Sequence, residues 1–361
     1  MSFGSFAHIG VSLMCLSSPK SIRKTAPFRS QNFVNKGFFD VRGKNTVNPD
    51  GFTSILTMPQ RKILVSKSDS SLNALARGGF MNYFDLHCDT AYEIFKNETD
   101  FFDQGLAVNF NSAPFDNWKQ VFAFWIKDNT ENPFSLYQSM REYFDMRIKT
   151  APKNLKYYTA IEGGAVLEDK PERLYTLKKD GIKFLSLAWN FETLLAGGIK
   201  SEQGLTSLGK DTIFLMNELK IACDLSHLNE KSFCAAAEFS DFPLATHSNC
   251  YSYCPNPRNL KEWQIKAIAE KGGIIGLCFY PEFLNGDVFE AIYINIYELL
   301  EKGLENAIAI GSDFDGGKMD KKLDNINKIP RLYDFLEAKD IKKATLDKIF
   351  YENADKFIAK L

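Results

Sequence analysis

The chain has 361 residues, 45% apolar and 25% charged, with a net charge of −1, a composition suited to a globular protein with a sizeable core. So even a balance gives no argument for nucleic acid or an acidic membrane surface as a partner. No apolar run approaches the ~20 residues that a membrane-spanning helix needs.

The charge is unevenly spread. Residues 1–80 hold 11 Lys and Arg against 3 Asp and Glu, whereas residues 81–361 hold 33 against 42. The basic, Ser-rich, acid-poor stretch reads as a disordered or transit-like tail, and a secretory signal is a weaker reading because no basic residue precedes Ile9–Leu16. A further reading is that the tail is not translated. The string Arg77-Gly78-Gly79-Phe80-Met81 is what a purine-rich ribosome-binding site and its start codon would encode, which makes Met81 the expected natural start. Residues 81–361 are then expected to form a single domain in the cytoplasm, with organelle import through the tail left open. Seven cysteines without a CxxC pair fit a reducing compartment with no disulfide framework, and Cys250 and Cys254, four apart, are a minor candidate for a zinc site.

From Met81 onward, short apolar runs alternate with longer amphipathic ones, the pattern of βα units on a parallel sheet. The predicted strands are Tyr83–His87, Val121–Ile126, Tyr157–Glu162, Lys183–Ala188, Lys220–Ser226, Leu244–His247, Gly273–Phe279 and Ala307–Asp313. Predicted helices cover Ser135–Ile148, Ala165–Lys179, Asp211–Leu219, Glu230–Ala237, Leu260–Lys271 and Asp287–Lys302. Pro330–Leu361 reads as a helical pair with a turn at Lys339–Asp340. Eight such strands predict an α/β fold, a (β/α)8 TIM barrel of the metal-dependent hydrolase type, with its chemistry at the C-terminal strand ends.

Metal-competent residues fall at those ends. His87 and Asp89 in DLHCDT would face one side of an extended strand, giving an imidazole and a carboxylate to a cation, although a hydrogen-bonded structural pair fits the same spacing. Glu162 ends an apolar strand, where a buried carboxylate must be paired, protonated or metal-bound. Gly163 and Gly164 let the backbone turn away from it, and the bland alternative is a helix-capping acid. A lone His227 or His247 would be a core histidine, but three histidines on one barrel face favour ligands. Asp313 in IGSDFDGG suits proton transfer, while Asp315, before Gly316, suits a turn. Arg258, in the NPRN loop, suits bidentate binding of a carboxylate, with a surface salt bridge as the alternative.

Together DLHCDT, IEGG, LSLAWN, DLSH, THSN with CPNPRNL, and IGSDFDGG resemble the membrane dipeptidase (renal dipeptidase) family of zinc metallopeptidases, over about Asn82 to Phe357. The resemblance implies a binuclear zinc dipeptidase, of the soluble bacterial type, that hydrolyses dipeptides through a metal-bridging hydroxide. His87 and Asp89 would bind one of two Zn2+ ions, His227 and His247 the other, and Glu162 both. Asp313 would shuttle the proton, Arg258 would bind the substrate carboxylate, and Tyr280 would lie near the substrate. One position departs: the best-known members carry a histidine where this chain has Trp189, which offers one indole N–H. Losing a well-placed donor there could cost roughly 10²–10³ in rate, or mark a different substrate. The implied partners are small dipeptides, without nucleic acid or a membrane anchor, and a homodimer is left open. The rival readings are a metal-dependent hydrolase of another amide or lactone and a non-catalytic metal-binding barrel.

Overall fold

A computed structural model of the chain describes residues 81–111 and 113–361. The expectations for the tail, including a start at Met81 and the fourth histidine, His8, lie outside the described residues. Eight parallel strands run β1 (Met81–Cys88), β2 (Phe115–Trp125), β3 (Leu155–Glu162), β4 (Ile182–Ser186), β5 (Ala222–Asp224), β6 (Pro243–Leu244), β7 (Ile275–Leu277) and β8 (Ile308–Ile310). They pair in the order β6-β5-β4-β3-β2-β1-β8-β7. A bridge between Ala245 and Ile275 joins the two outer strands, so the sheet closes on itself. This is the predicted (β/α)8 barrel.

Two apolar layers follow from strand alternation. Phe84, Leu86, Val121, Ala160, Phe184, Ala222, Leu244, Ile274 and Ala309 form one cluster inside the barrel, completed by Ala354, Phe357 and Ile358 from the C-terminal helix. Their strand neighbours, among them Tyr83, Phe122, Ile161, Cys223 and Ile310, pack outward against the helices. Glu162, Asp224 and Thr246 continue the inward rows of β3, β5 and β6 and so reach the barrel mouth.

β1 breaks this alternation. Its pairing with β2 slips between Asp85, opposite Gln120, and Cys88, opposite Phe122. One extra residue is thereby accommodated, the mark of a β-bulge. Leu86 and His87 both point inward, and Cys88 returns to the outer layer. Strand alternation therefore does not set the Asp89 side chain, as the sequence suggested. Asp89 lies past the strand with φ −94° and ψ 12°.

The helices are α1 (Thr90–Lys96), α2 (Pro133–Arg147), α3 (Arg173–Lys179), α4 (Ser207–Leu219), α5 (Glu230–Phe239), α6 (Glu262–Glu270), α7 (Val288–Glu301), α8 (Ile329–Ala338), α9 (Lys343–Asp347) and α10 (Asn353–Ile358). Three differ from the sequence reading. α1 is absent from it. The predicted helix over 165–179 is a 3-10 turn, Gly164–Leu167, followed by the short α3. Glu168 takes φ +52° and Pro171 cannot donate, so helix cannot run through. α4 starts at Ser207, four residues early, because Thr206 accepts from Gly209 N and caps it. The turn at Lys339–Asp340 stands, with Asp340 at φ +64°. The segment after it contains a π-helical stretch, Lys348–Glu352, between α9 and α10. Cys88, Cys223, Cys250, Cys254 and Cys278 carry free thiols.

Candidate metal centre

Four loops and one strand end converge on Glu162. Gly163 makes this possible: it takes φ +111°, and a Cβ there would lie 1.9 Å from Ile126 O. The Glu162 oxygens face different partners. Oε2 lies 3.6 Å from His87 Nε2, whereas Oε1 lies 2.8 Å from His227 Nε2 and 3.5 Å from His247 Nε2. On the first side, His87 Nε2 also lies 3.6 Å from Asp89 Oδ2. On the second, the His227 and His247 Nε2 atoms are 2.9 Å apart. The ligand atoms of His87, Glu162 and His247 fall within 4.8 Å of one another, as do those of His87, Asp89 and Asp313.

All five predicted ligand residues are buried. Donors around a tetrahedral ion with bonds of about 2.0–2.1 Å stand roughly 3.3 Å apart, and the separations of 2.8–3.6 Å bracket that value. Two imidazole nitrogens at 2.9 Å need a proton or a cation between them. His87 Nε2 and Asp89 Oδ1 are buried with no hydrogen-bond partner. Such orphaned atoms are costly unless something else satisfies them, and a divalent cation fits both.

Electrostatics agree. Burial opposes ionisation of Glu162, yet His87 and His227 hold its carboxyl well below the usual range. Burial likewise opposes the His87 imidazolium, but Glu162 and Asp89 raise its pKa well above the ordinary value. Asp89 is pushed up to about 8 by burial and by the Glu162 charge. Burial and Arg258 lower His227 to about 4, and burial and His87 hold His247 well below its ordinary value. Clustered carboxylates thus compete for one histidine charge, where a bound cation would supply more.

The histidines are oriented from behind. His227 lies in a turn beyond β5, at φ +69°, and its Nδ1 meets Asn190 Oδ1 at 3.1 Å. Asn190 is itself fixed by Asp128, whose carboxylate accepts from the amides of Trp189, Asn190 and Phe191 at 2.7–2.9 Å. His247 Nδ1 meets Thr246 Oγ1 at 2.8 Å. Sequence reasoning missed Asp128, Asn190 and Thr246. Asn190 and Thr246 adjoin singled-out residues in LSLAWN and THSN, but nothing in the sequence marks Asp128.

Asp313 also sits past its strand, at φ +64°. Burial pushes its carboxyl up to about 6, with His87 opposing and Glu162 adding to the rise. Asp315 takes φ +67° and accepts from Thr90 Oγ1 at 2.6 Å and Ala107 N at 2.7 Å, tying this loop to α1 and its neighbour. Asp89, Glu162, His227, Trp189, Arg258, Tyr280 and Asp313 line one cavity of about 530 Å³. Arg258 is 4% exposed and its Nη2 donates to His247 O at 3.1 Å, while Nε has no partner. The surface-salt-bridge alternative therefore fails. Trp189 packs edge-on against Trp125 at 5.1 Å, its ring 6.0 Å from His227. Tyr280 packs edge-on against Phe283 of the same loop.

A family model for membrane dipeptidases, peptidase family M19, matches residues 122–360. The chain belongs to the membrane dipeptidase family. It is thereby a metallodipeptidase, a hydrolase of peptide bonds. Its similarity to an uncharacterised Klebsiella pneumoniae protein from the pqqA 5′ region is 33% identity over 217 residues, 56% of this chain and 80% of that protein. Dipeptidase tcpJ of Claviceps purpurea is 28% identical over 183 residues, 48% of this chain, and the chain spans only 43% of that relative. A Rhodobacter sphaeroides metallopeptidase, solved with a phosphinate mimic of the dipeptide L-Ala-D-Ala, superposes with a TM-score of 0.72 at 21% identity, over 78% of this chain and 99% of its own. At that identity the likeness is one of fold. Among the described residues of this membrane dipeptidase relative, no helix is long and apolar enough to cross a membrane.

Proposed function

We propose that the chain hydrolyses dipeptides at a binuclear zinc centre, with His87 and Asp89 on one ion, His227 and His247 on the other, and Glu162 shared. The observation that carries this reading is the division of Glu162, whose Oε2 faces His87 while Oε1 faces His227 and His247. A bound metal pair of this kind activates water at neutral pH and polarises the scissile carbonyl.

The chain's own residues supply the rest. Arg258 lines the cavity and, among the described residues, forms no salt bridge with a carboxylate, so the free C-terminal carboxylate of a substrate would pair with it. Fixing that end beside the centre selects short substrates. Asp313, raised to about 6, is poised to accept the proton of the attacking water and return it to the leaving amine. Trp189 and Tyr280 wall the substrate space, and Trp189 offers one indole N–H where the family's best-known members offer an imidazole. The dipeptide mimic held by the Rhodobacter sphaeroides protein suits this substrate size. We assign the activity to a single barrel domain of residues 81–361, in the cytoplasm.

Metal analysis of the full-length chain, paired with turnover of L,L- and L,D-dipeptides against lactones, tests the reading. Two zinc ions per chain and hydrolysis confined to dipeptides with a free carboxylate are expected. A stoichiometry of one ion, or a zinc-loaded protein that opens lactones and leaves dipeptides intact, would overturn it.

A further inference from the structure

Thr246 Oγ1 occupies an unusual position behind the metal centre. It lies 2.6 Å from Asp224 Oδ2, 2.8 Å from His247 Nδ1 and 3.4 Å from His87 Nδ1. A hydroxyl has one proton to give and two lone pairs to receive with. The Asp224 carboxylate can only accept, so the Thr246 proton goes there. Both lone pairs then face imidazole Nδ1 atoms, which must be the donors. In the neutral imidazole that a metal requires, protonation at Nδ1 leaves Nε2 with its lone pair, on the side of Glu162.

We infer that Thr246, backed by Asp224, is a positioning residue that sets the metal-binding tautomer of His87 and His247 together. The inference rests on the reading of these histidines as ligands, and it goes further by linking the two halves of the centre through one hydroxyl. His87 would hold one ion and His247 the other, so a single side chain adjusts both. Ligand histidines commonly rest on such a partner, whose loss costs about 10–100-fold in metal affinity.

Three further features hold the hydroxyl in place. Asp224 Oδ1 accepts from the amides of Ser226 and Thr246, each at 3.0 Å, so the carboxylate cannot swing away. Thr246 is fully buried, and its β-branched side chain has few rotamers to choose from. Its carbonyl is seated against two glycines: a Cβ at Gly276 would come within 2.0 Å of Thr246 O, and one at Gly311 within 1.6 Å. Neither Asp224 nor Thr246 lines the substrate cavity, so their effect must pass through the histidines.

The test compares wild type, Thr246→Ser and Thr246→Val in the full-length chain, with zinc affinity measured by chelator competition. Thr246→Val keeps the shape and removes the hydroxyl; it should weaken both zinc sites by about 10-fold or more. Thr246→Ser should stay within about 3-fold of wild type, since its hydroxyl can make the same three bonds. A nitrogen-15 spectrum of the metal-free wild type should show neutral His247 carrying its proton on Nδ1. Valine binding both ions at wild-type affinity, weakening of only one site, or a proton on His247 Nε2 would overturn the inference. If Thr246→Val does not fold, the serine variant and the wild-type spectrum still decide. Failure of the ligand reading would look different, because wild type itself would take up no zinc.

Discussion

Arg258 and Asp313 carry the two residue-scale consequences of this site. A buried guanidinium with an unpartnered Nε carries a desolvation cost that a ligand carboxylate would help to offset. Arg258→Ala should therefore raise KM for dipeptides about 10–100-fold, the worth of a charge-assisted hydrogen bond of roughly 1.5–3 kcal/mol, with little change in kcat. Steady-state kinetics check this, and an unchanged KM would contradict the assigned contact. Asp313→Asn should retain its zinc and lose about 10²–10⁴ in kcat, the usual contribution of a positioned acid–base group. Metal content and turnover of the same preparation separate these two effects. His87, Glu162 and Arg258 were legible as candidates because each residue type in its local string has few comfortable structural roles. Their second partners were not: Thr246 and Asp128 are ordinary polar residues whose meaning depends on which strand lies beside them.

At the scale of elements, the site depends on where strands stop and loops bend. His227 and Asp313 both take positive φ beyond their strands, and the β1 bulge turns His87 inward next to Leu86. Gly311 shows how tight this packing is. It follows β8 directly and has no room for a Cβ against Thr246 O. Gly311→Ala should push the β6 end outward, destabilising the fold by about 1–3 kcal/mol or more and weakening zinc uptake with it. Urea unfolding midpoints read the first effect and chelator competition the second; a variant matching wild type in both would show that β6 can yield. Strand existence was readable from apolar runs, while the bulge, the 3-10 turn at Gly164–Leu167 and the early start of α4 were not. Those features follow from inter-strand register, from Glu168 and Pro171, and from one Thr206 hydroxyl, all of which periodicity averages over.

For the whole molecule, the C-terminal segment closes the end of the barrel away from the site. Ala354, Phe357 and Ile358 join the interior cluster, and Asn353 Nδ2 donates to Glu305 O and Ile308 O, each at 2.8 Å. Lys119 on β2 pairs with Asp355 of α10 and pins it there. Burial opposes the Lys119 charge, but its bonds to Asp355 and Tyr351 raise the pKa above the ordinary value. A raised lysine contributes stability below its unfolded pKa of about 10.4 and loses it as pH climbs through the folded value. Lys119→Met should thus be less stable than wild type by roughly 0.5–1 kcal/mol near neutral pH, a partly exposed pair. The gap should close in urea titrations as pH climbs through the raised folded-state pKa of Lys119; a gap independent of pH would assign the loss to packing. Sequence alone determined the eight strands and the residue types at their mouths, because apolar period and strand-end chemistry are local properties. The tertiary structure decided how those residues meet: which Glu162 oxygen faces which histidine, and which hydroxyl stands behind them. Barrel closure and register set those distances, and no stretch of the chain contains them.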